Sequence, residues 1–140
     1  MINKTIKEEW DVWLDRQIQY LRLHKFEQLD LANVIEELED LGREQRNACK
    51  SFCRQIIVHL LLIDYWHERS QTRNHWLAEI AIFQSDLQDR LTTNYKKYLH
   101  ENLQSIYQQS LKIVQRRTEL KDRFPEKCPY TIEKIITDDI

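Results

Sequence analysis

Glycine and proline are nearly missing from this chain, with one glycine and two prolines in 140 residues. Hairpin turns, bulges and barrel corners draw on those two residues, so their scarcity excludes turn-rich sheet architectures and predicts an all-α fold. A single glycine also leaves nothing from which to build a phosphate-binding loop. No G-x-S-x-G nucleophile elbow occurs either, so phosphate-loop and serine-hydrolase chemistry have no support. No apolar run approaches the ~18–20 residues of a membrane span, and MINKTIKEEW lacks the apolar stretch of a signal peptide. A charge excess is missing too. Twenty-one bases against 23 acids leave a formal net charge of −2, which gives no global attraction to nucleic acid or to anionic membranes. Three cysteines are few and odd in number, so free thiols in a reducing, cytoplasmic setting are expected, with no membrane association.

The apolar fraction of 41% suits a single helical-bundle domain over residues 1–140, large enough to need no disulfide or metal. Residues 1–4 and 138–140 are expected to fray. The longest helical pattern, Asp30 to Trp66, is the centre of this organisation. Apolar or small residues recur at Leu31, Ile35, Leu38, Gly42, Cys49, Phe52, Ile56, Leu60 and Ile63, which places them on one stripe. Asp30 is the N-cap, its carboxylate available to the amides of the first turn, with Leu29 and Val34 at staple positions. A helix this long spans roughly 50 Å, so it either bends at Gly42 or overhangs at one end. From Ile56 to Ile63 the run IIVHLLLI is apolar on every face except His59, which makes it the predicted centre of the core.

On either side the chain reads as shorter helices. The first starts at Thr5, where Thr5 and Glu8 match a capping box and Ile6, Trp10, Trp13, Leu14, Tyr20 and Leu21 share a face. A tight connection over residues 24–29 sets it antiparallel to the central helix. HERSQTRN after Trp66 is the main break. The third helix carries Trp76, Ile80, Phe83, Leu87 and Leu91, and Thr92-Thr93-Asn94 predicts a turn and a new N-cap. The fourth helix carries Tyr95, Leu99, Leu103, Ile106, Ser110 and Val114. Two prolines make residues 124–130 a loop, after which Thr131 caps a short last helix with Tyr130 and Ile135 at staple positions. The expected architecture is therefore an antiparallel bundle of four main helices plus a short C-terminal one.

The segments LDLANVIEELEDLGREQR, HLLLIDYW, RNHW and FPEKCPYTIEKI, in that order, resemble the bacterial domain-of-unknown-function family numbered twenty-nine. The likeness covers roughly Trp10 to Ile136. It implies a small all-helical bundle and no assigned activity.

Four groups of residues are candidates for function. Glu37, Glu44 and His59 project along one flank of the central helix, as ligands of a bundle metal centre do. Carboxylate-bridged di-metal sites need a Glu-x-x-His pair from each of two helices, and the chain has neither copy. No metal or other cofactor is therefore expected, and His59 reads as a core histidine with one partner. Cys49 and Cys53 stand one turn apart with Arg46, Lys50 and Arg54 nearby, and bases lower a thiol pKa. Buried cysteine more often serves as a small hydrophobe, and Cys128 alone adds no zinc-type spacing. Trp66, Arg69, Arg73, His75 and Trp76 form an aromatic and basic patch at the main break, able to stack on bases and meet phosphates. Lastly, the central helix is acidic at Glu36, Glu37 and Asp40, with Arg43 as the one base there, and basic from Arg46 to Lys50 and Arg54.

These groups support three readings. The leading one is a non-enzymatic protein-interaction or regulatory module whose partner is another protein or a second copy. In a homodimer, the acidic half would meet Arg46 and Lys50 across a two-fold axis. The second is a small bacterial stress or toxin–antitoxin component binding RNA through the aromatic and basic patch. The third is a metal-dependent enzyme using His59 and the neighbouring acids.

Overall fold

The computed structural model describes residues 8–66 and 72–137. The described residues are helical apart from their connections and contain no strand. In order they form α1 (Trp10–Arg22), a 3₁₀ turn (Phe26–Gln28), α2 (Leu31–Tyr65), α3 (Arg73–Arg90), α4 (Thr93–Thr118) and α5 (Ile132–Thr137). The chain gathers into two compact units, Met1–Glu44 and Gln45–Ile140, with α2 running through both.

In the first unit, α1 begins at Trp10, later than the capping-box pattern suggested. Thr5 lies outside the described residues, and Glu8 is held by Arg16 at 3.1 Å. The helix ends in a Schellman motif. The Lys25 amide donates to the Tyr20 carbonyl at 2.8 Å and the His24 amide to the Leu21 carbonyl at 3.2 Å. His24 takes the left-handed position with φ 58°, where a glycine would sit at lower cost, since an L-residue there costs ~1 kcal/mol. The two helices are then tied by a buried polar network. The Asp30 carboxylate accepts from the Trp13 indole at 3.0 Å and from the Asn33 side-chain amide at 2.8 Å, while the Asp30 backbone N–H donates to the Gln17 side-chain oxygen at 2.8 Å. Trp13, Gln17 and Asn33 are buried around it. Because Trp13 and Gln17 meet Asp30, and Trp10 and Leu14 share a cleft with residues 37–44, α1 and the start of α2 run antiparallel.

The second unit is built on the later part of α2. Every residue from Ile56 to Leu62 is buried, as its all-round apolar character requires. Each such side chain contributes ~1.5–3 kcal/mol by leaving water. Against this segment α3 runs antiparallel. Trp66 stacks on Trp76, both His59 and Phe52 touch Phe83, and Gln45 accepts from Arg90. Helix α4 returns parallel to α2, with Arg46 over the Tyr98 ring and Arg54 donating to Gln109.

The turn between α3 and α4 falls where Thr92-Thr93-Asn94 predicts it, and the Thr92 hydroxyl accepts from the Tyr95 amide at 3.1 Å. Thr131 likewise caps α5 through the Lys134 amide at 3.1 Å. Gln84 and Gln88 of α3 donate to the carbonyls of Ile135 and Ile136, which closes the end of α5.

Candidate interaction surface

The largest departure from the expected core lies at the beginning of α2. The apolar stripe is present, but Leu31, Ile35, Leu38 and Leu41 stand 60, 46, 63 and 53% exposed. These positions are three or four residues apart, so they form one continuous face. Their exposed surface together is on the order of 400 Å², within the range at which an apolar patch on a monomer signals a binding site. Glu37 and Glu39 flank it, whereas Glu36 and Asp40 stand on the opposite side of the helix, where Asp40 is ion-paired with Arg43.

Beside the stripe, between α1 and α2, is a cleft of about 330 Å³ lined by Trp10, Leu14, Glu37, Leu38, Asp40, Leu41 and Glu44. Two of its lining residues each carry a polar atom buried without a hydrogen-bond partner, Trp10 Nε1 and Asp40 Oδ2. No single motif announces this cleft. Its donor comes from α1 and its acceptor from α2, and only the antiparallel pairing brings them together.

Of the candidate metal ligands, Glu37 and Glu44 line this cleft and His59 does not. Glu37 and Glu44 belong to the first unit and His59 to the second, and among the described residues no three His, Cys, Asp or Glu side chains gather closely enough to hold a metal ion. His59 is 8% exposed, and its Nδ1 lies 2.7 Å from the Gln55 carbonyl. A carbonyl only accepts, so Nδ1 carries the proton. Burial pushes the His59 pKa below its usual value, against the upward pull of the Gln55 bond.

The bases near Cys49 and Cys53 do not activate them. Both thiols are fully buried, and burial raises both pKa values, that of Cys53 to about 12. Two of the bases near these thiols in sequence turn to other partners, Arg46 to Tyr98 and Arg54 to Gln109. Cys128 is half-buried, with its thiol directed at the Tyr130 carbonyl and its pKa raised as well.

In the aromatic and basic patch, Arg69 lies outside the described residues. Trp66 and Trp76 stack on each other with centroids 5.9 Å apart, and Trp76 is buried. Their mutual stacking occupies faces that base recognition would need, while Arg73 and His75 are exposed and His75 lies 4.0 Å from Glu79. One basic feature is new. A wide groove at the end of α4, about 980 Å³, is lined by Lys112, Ile113, Gln115, Arg116, Glu119 and Lys121. Its signal is the run KIVQRRTELK, which reads in sequence only as a helix end.

The second unit also contains buried hydroxyls that serve the fold. Tyr130 donates to Asp64 at 2.6 Å and Tyr107 to the Pro125 carbonyl at 2.5 Å. Burial pushes the Tyr107 pKa up to about 12, and burial followed by the Asp64 bond raises that of Tyr130. These bonds fasten residues 124–130 onto α2 and α4.

These features define an all-helical protein with a packed second unit and an apolar, acidic-flanked helix face in the first. No helix among the described residues is long and apolar enough to cross a membrane. The chain belongs to the family described as Domain of unknown function DUF29, whose model matches residues 7–140. Neither the curated proteins nor the solved structures contain a match to it.

Proposed function

We propose that this chain is a protein-interaction module, and that it docks an amphipathic helix with basic flanks on the Leu31–Leu41 face of α2. The observation that carries this reading is the exposure of four large aliphatic side chains in register on one helix. A helix laid along them would place its own stripe at the same spacing of three and four. The acids bordering the face then select for bases on the partner.

Charge also weighs against a symmetric pair of this face. Two copies joined through it would bring the flanking Glu37 and Glu39 of each into the same interface. Of the bases that could relieve them, Arg46 is occupied over Tyr98. The patch is also small beside the ~800 Å² per partner of a standard stable interface, which favours a helical segment over an obligate dimer.

The test is fluorescence anisotropy of labelled helical peptides that share a leucine stripe but differ in flank charge. Basic-flanked peptides are expected to bind and acidic ones not, with binding lost in Leu38→Lys. A chain that binds none of them overturns the reading. Sedimentation velocity adds a second outcome. A concentration-dependent dimer, dispersed by reversing the charges at Glu36, Glu37 and Asp40, would assign the same surface to a second copy.

A further inference from the structure

We infer that the cleft between α1 and α2 is a binding site for a cationic side chain together with an adjacent acceptor oxygen, both supplied by the docked partner. The inference rests on the docking reading above, but on different atoms. A buried polar group without a partner is uncommon in a folded protein and costs ~1–3 kcal/mol. Here two such groups, Trp10 Nε1 and Asp40 Oδ2, belong to residues that line one cleft. The same helix shows what this fold does with an indole N–H when it can, since Trp13, less than one turn further on, donates to Asp30 at 3.0 Å.

The two atoms specify different halves of a ligand. Trp10 Nε1 is a donor only and calls for an oxygen acceptor. Asp40 Oδ2 is an acceptor, and with Glu37 and Glu44 in the same lining it calls for a charged donor. Leu14, Leu38 and Leu41 supply apolar walls suited to a methylene stem, so a long stem ending in a charge is the matching shape. Asp40 holds Arg43 through Oδ1, which leaves Oδ2 as the oxygen available to a second donor, and its side chain is 14% exposed.

A lysine or arginine in the last turn of a partner helix meets both demands. Its head group donates to Asp40, and the unpaired carbonyls of that turn accept from Trp10. Leu38 and Leu41 belong both to the cleft and to the exposed stripe. The cleft therefore sets the polarity of the docked helix along the stripe as well as its charge.

The experiment is ¹⁵N NMR of the tryptophan indole signals in the full chain, with the Trp10 signal assigned by Trp10→Phe. Three small probes are titrated: Nα-acetyl-lysine amide, its uncharged isostere Nα-acetyl-norleucine amide, and n-butylamine, which has the charge without the oxygen. The lysine derivative is expected to shift the Trp10 indole signal saturably, with each of the other two about tenfold weaker, as expected for loss of one charge-assisted bond. Asp40→Asn is expected to bring the lysine derivative to the level of the norleucine one, and Ile82→Ala, at an exposed position on α3, to leave it unchanged. Equal binding of the three probes, indifference to Asp40→Asn, or no shift at all overturns the inference. Those results leave the docking reading standing if basic-flanked peptides still bind. Failure of the peptides with success of the lysine probe has the opposite meaning.

Discussion

Leu38→Ala and Leu60→Ala make the same chemical change on the same helix, and the structure assigns them different costs. Leu60 is 1% exposed and Leu38 63%. Truncating a fully buried leucine forfeits about three methylenes of burial, ~2.4 kcal/mol, and the cavity left behind raises the total to ~3 kcal/mol or more. At Leu38, where roughly one third of the surface is covered, the same sum gives ~0.8 kcal/mol, and the better helix propensity of alanine recovers a few tenths. For a chain of this size, each kcal/mol moves the melting temperature by roughly 3–5 °C. Leu60→Ala should therefore lower it by ~10–15 °C and Leu38→Ala by no more than ~3 °C. The assay is urea and thermal unfolding by circular dichroism in dilute protein, with the urea slope compared to confirm that each variant unfolds the same structure. A loss at Leu38 approaching that at Leu60 would refute the reasoning, because the stripe would then be covered within the chain. A loss that appears only as protein concentration rises would show that a second copy covers it.

Other perturbations test other parts of the account. Tyr130→Phe removes the 2.6 Å bond to Asp64 and should cost ~1.5–3 kcal/mol, read from urea midpoints, with Asp64→Asn milder because an amide oxygen still accepts. On the alkaline side, burial holds the pKa of Tyr107 and of Cys53 at about 12 each. The folded chain thus keeps protons that the unfolded chain has lost, so stability is full below about pH 9 and falls between about pH 9 and 12, by ~2–3 kcal/mol for Tyr107 alone. On the acid side, the buried His59 has a lowered pKa. The unfolded chain protonates first, stability falls as pH drops below about 6.5, and His59→Leu should flatten that limb of a pH–stability profile. Of the three free cysteines, Cys49 and Cys53 are buried, so a chromogenic disulfide reagent at neutral pH should titrate at most Cys128 in the native chain and all three after denaturation. Gly42→Ala should stabilise by ~0.5–1 kcal/mol in the same unfolding assay, since a Cβ at Gly42 meets nothing within 4 Å. A loss there would place Gly42 in a close contact.

Much of the fold could be read from the residues because local and tertiary demands agree. IIVHLLLI is apolar on every face but that of His59, and every residue of it from Ile56 to Leu62 is buried. Thr92 and Thr131 look like caps and are caps. The failures have physical causes as well. Periodicity shows that a helix has an apolar face but carries nothing about whether another helix covers it, so Leu31, Ile35 and Leu38 were indistinguishable from Cys49, Phe52 and Ile56. Bases close to Cys49 and Cys53 in sequence found partners on α4, and burial then controlled the thiols. Gln17 and Asn33 gave no sign of burial because their partner, Asp30, lies in a different element from Gln17 and was itself read as a simple cap. The Trp10–Asp40 cleft is hidden for the same reason, since it exists only once two helices are paired.

The energetics of the exposed face explain why a polar cleft beside it matters. Covering ~400 Å² of apolar surface at ~25 cal/mol per Å² yields ~10 kcal/mol from this side before any cost is counted. Association itself consumes ~4–15 kcal/mol, and ordering the side chains of the partner consumes more. Apolar burial of this extent therefore sits near break-even, and it discriminates poorly, because any leucine stripe fits a leucine stripe. What distinguishes one partner from another is the part of the surface that a wrong partner leaves unsatisfied. Docking an uncharged helix would bury Glu37 and Glu44 without compensation, leave Asp40 with Arg43 alone and leave the Trp10 N–H still unpaired. A helix that brings a base and a carbonyl relieves both at once. On this argument the stripe provides adhesion and the cleft provides choice, so Asp40→Asn should relax selectivity among helical partners more than it lowers affinity for any one of them.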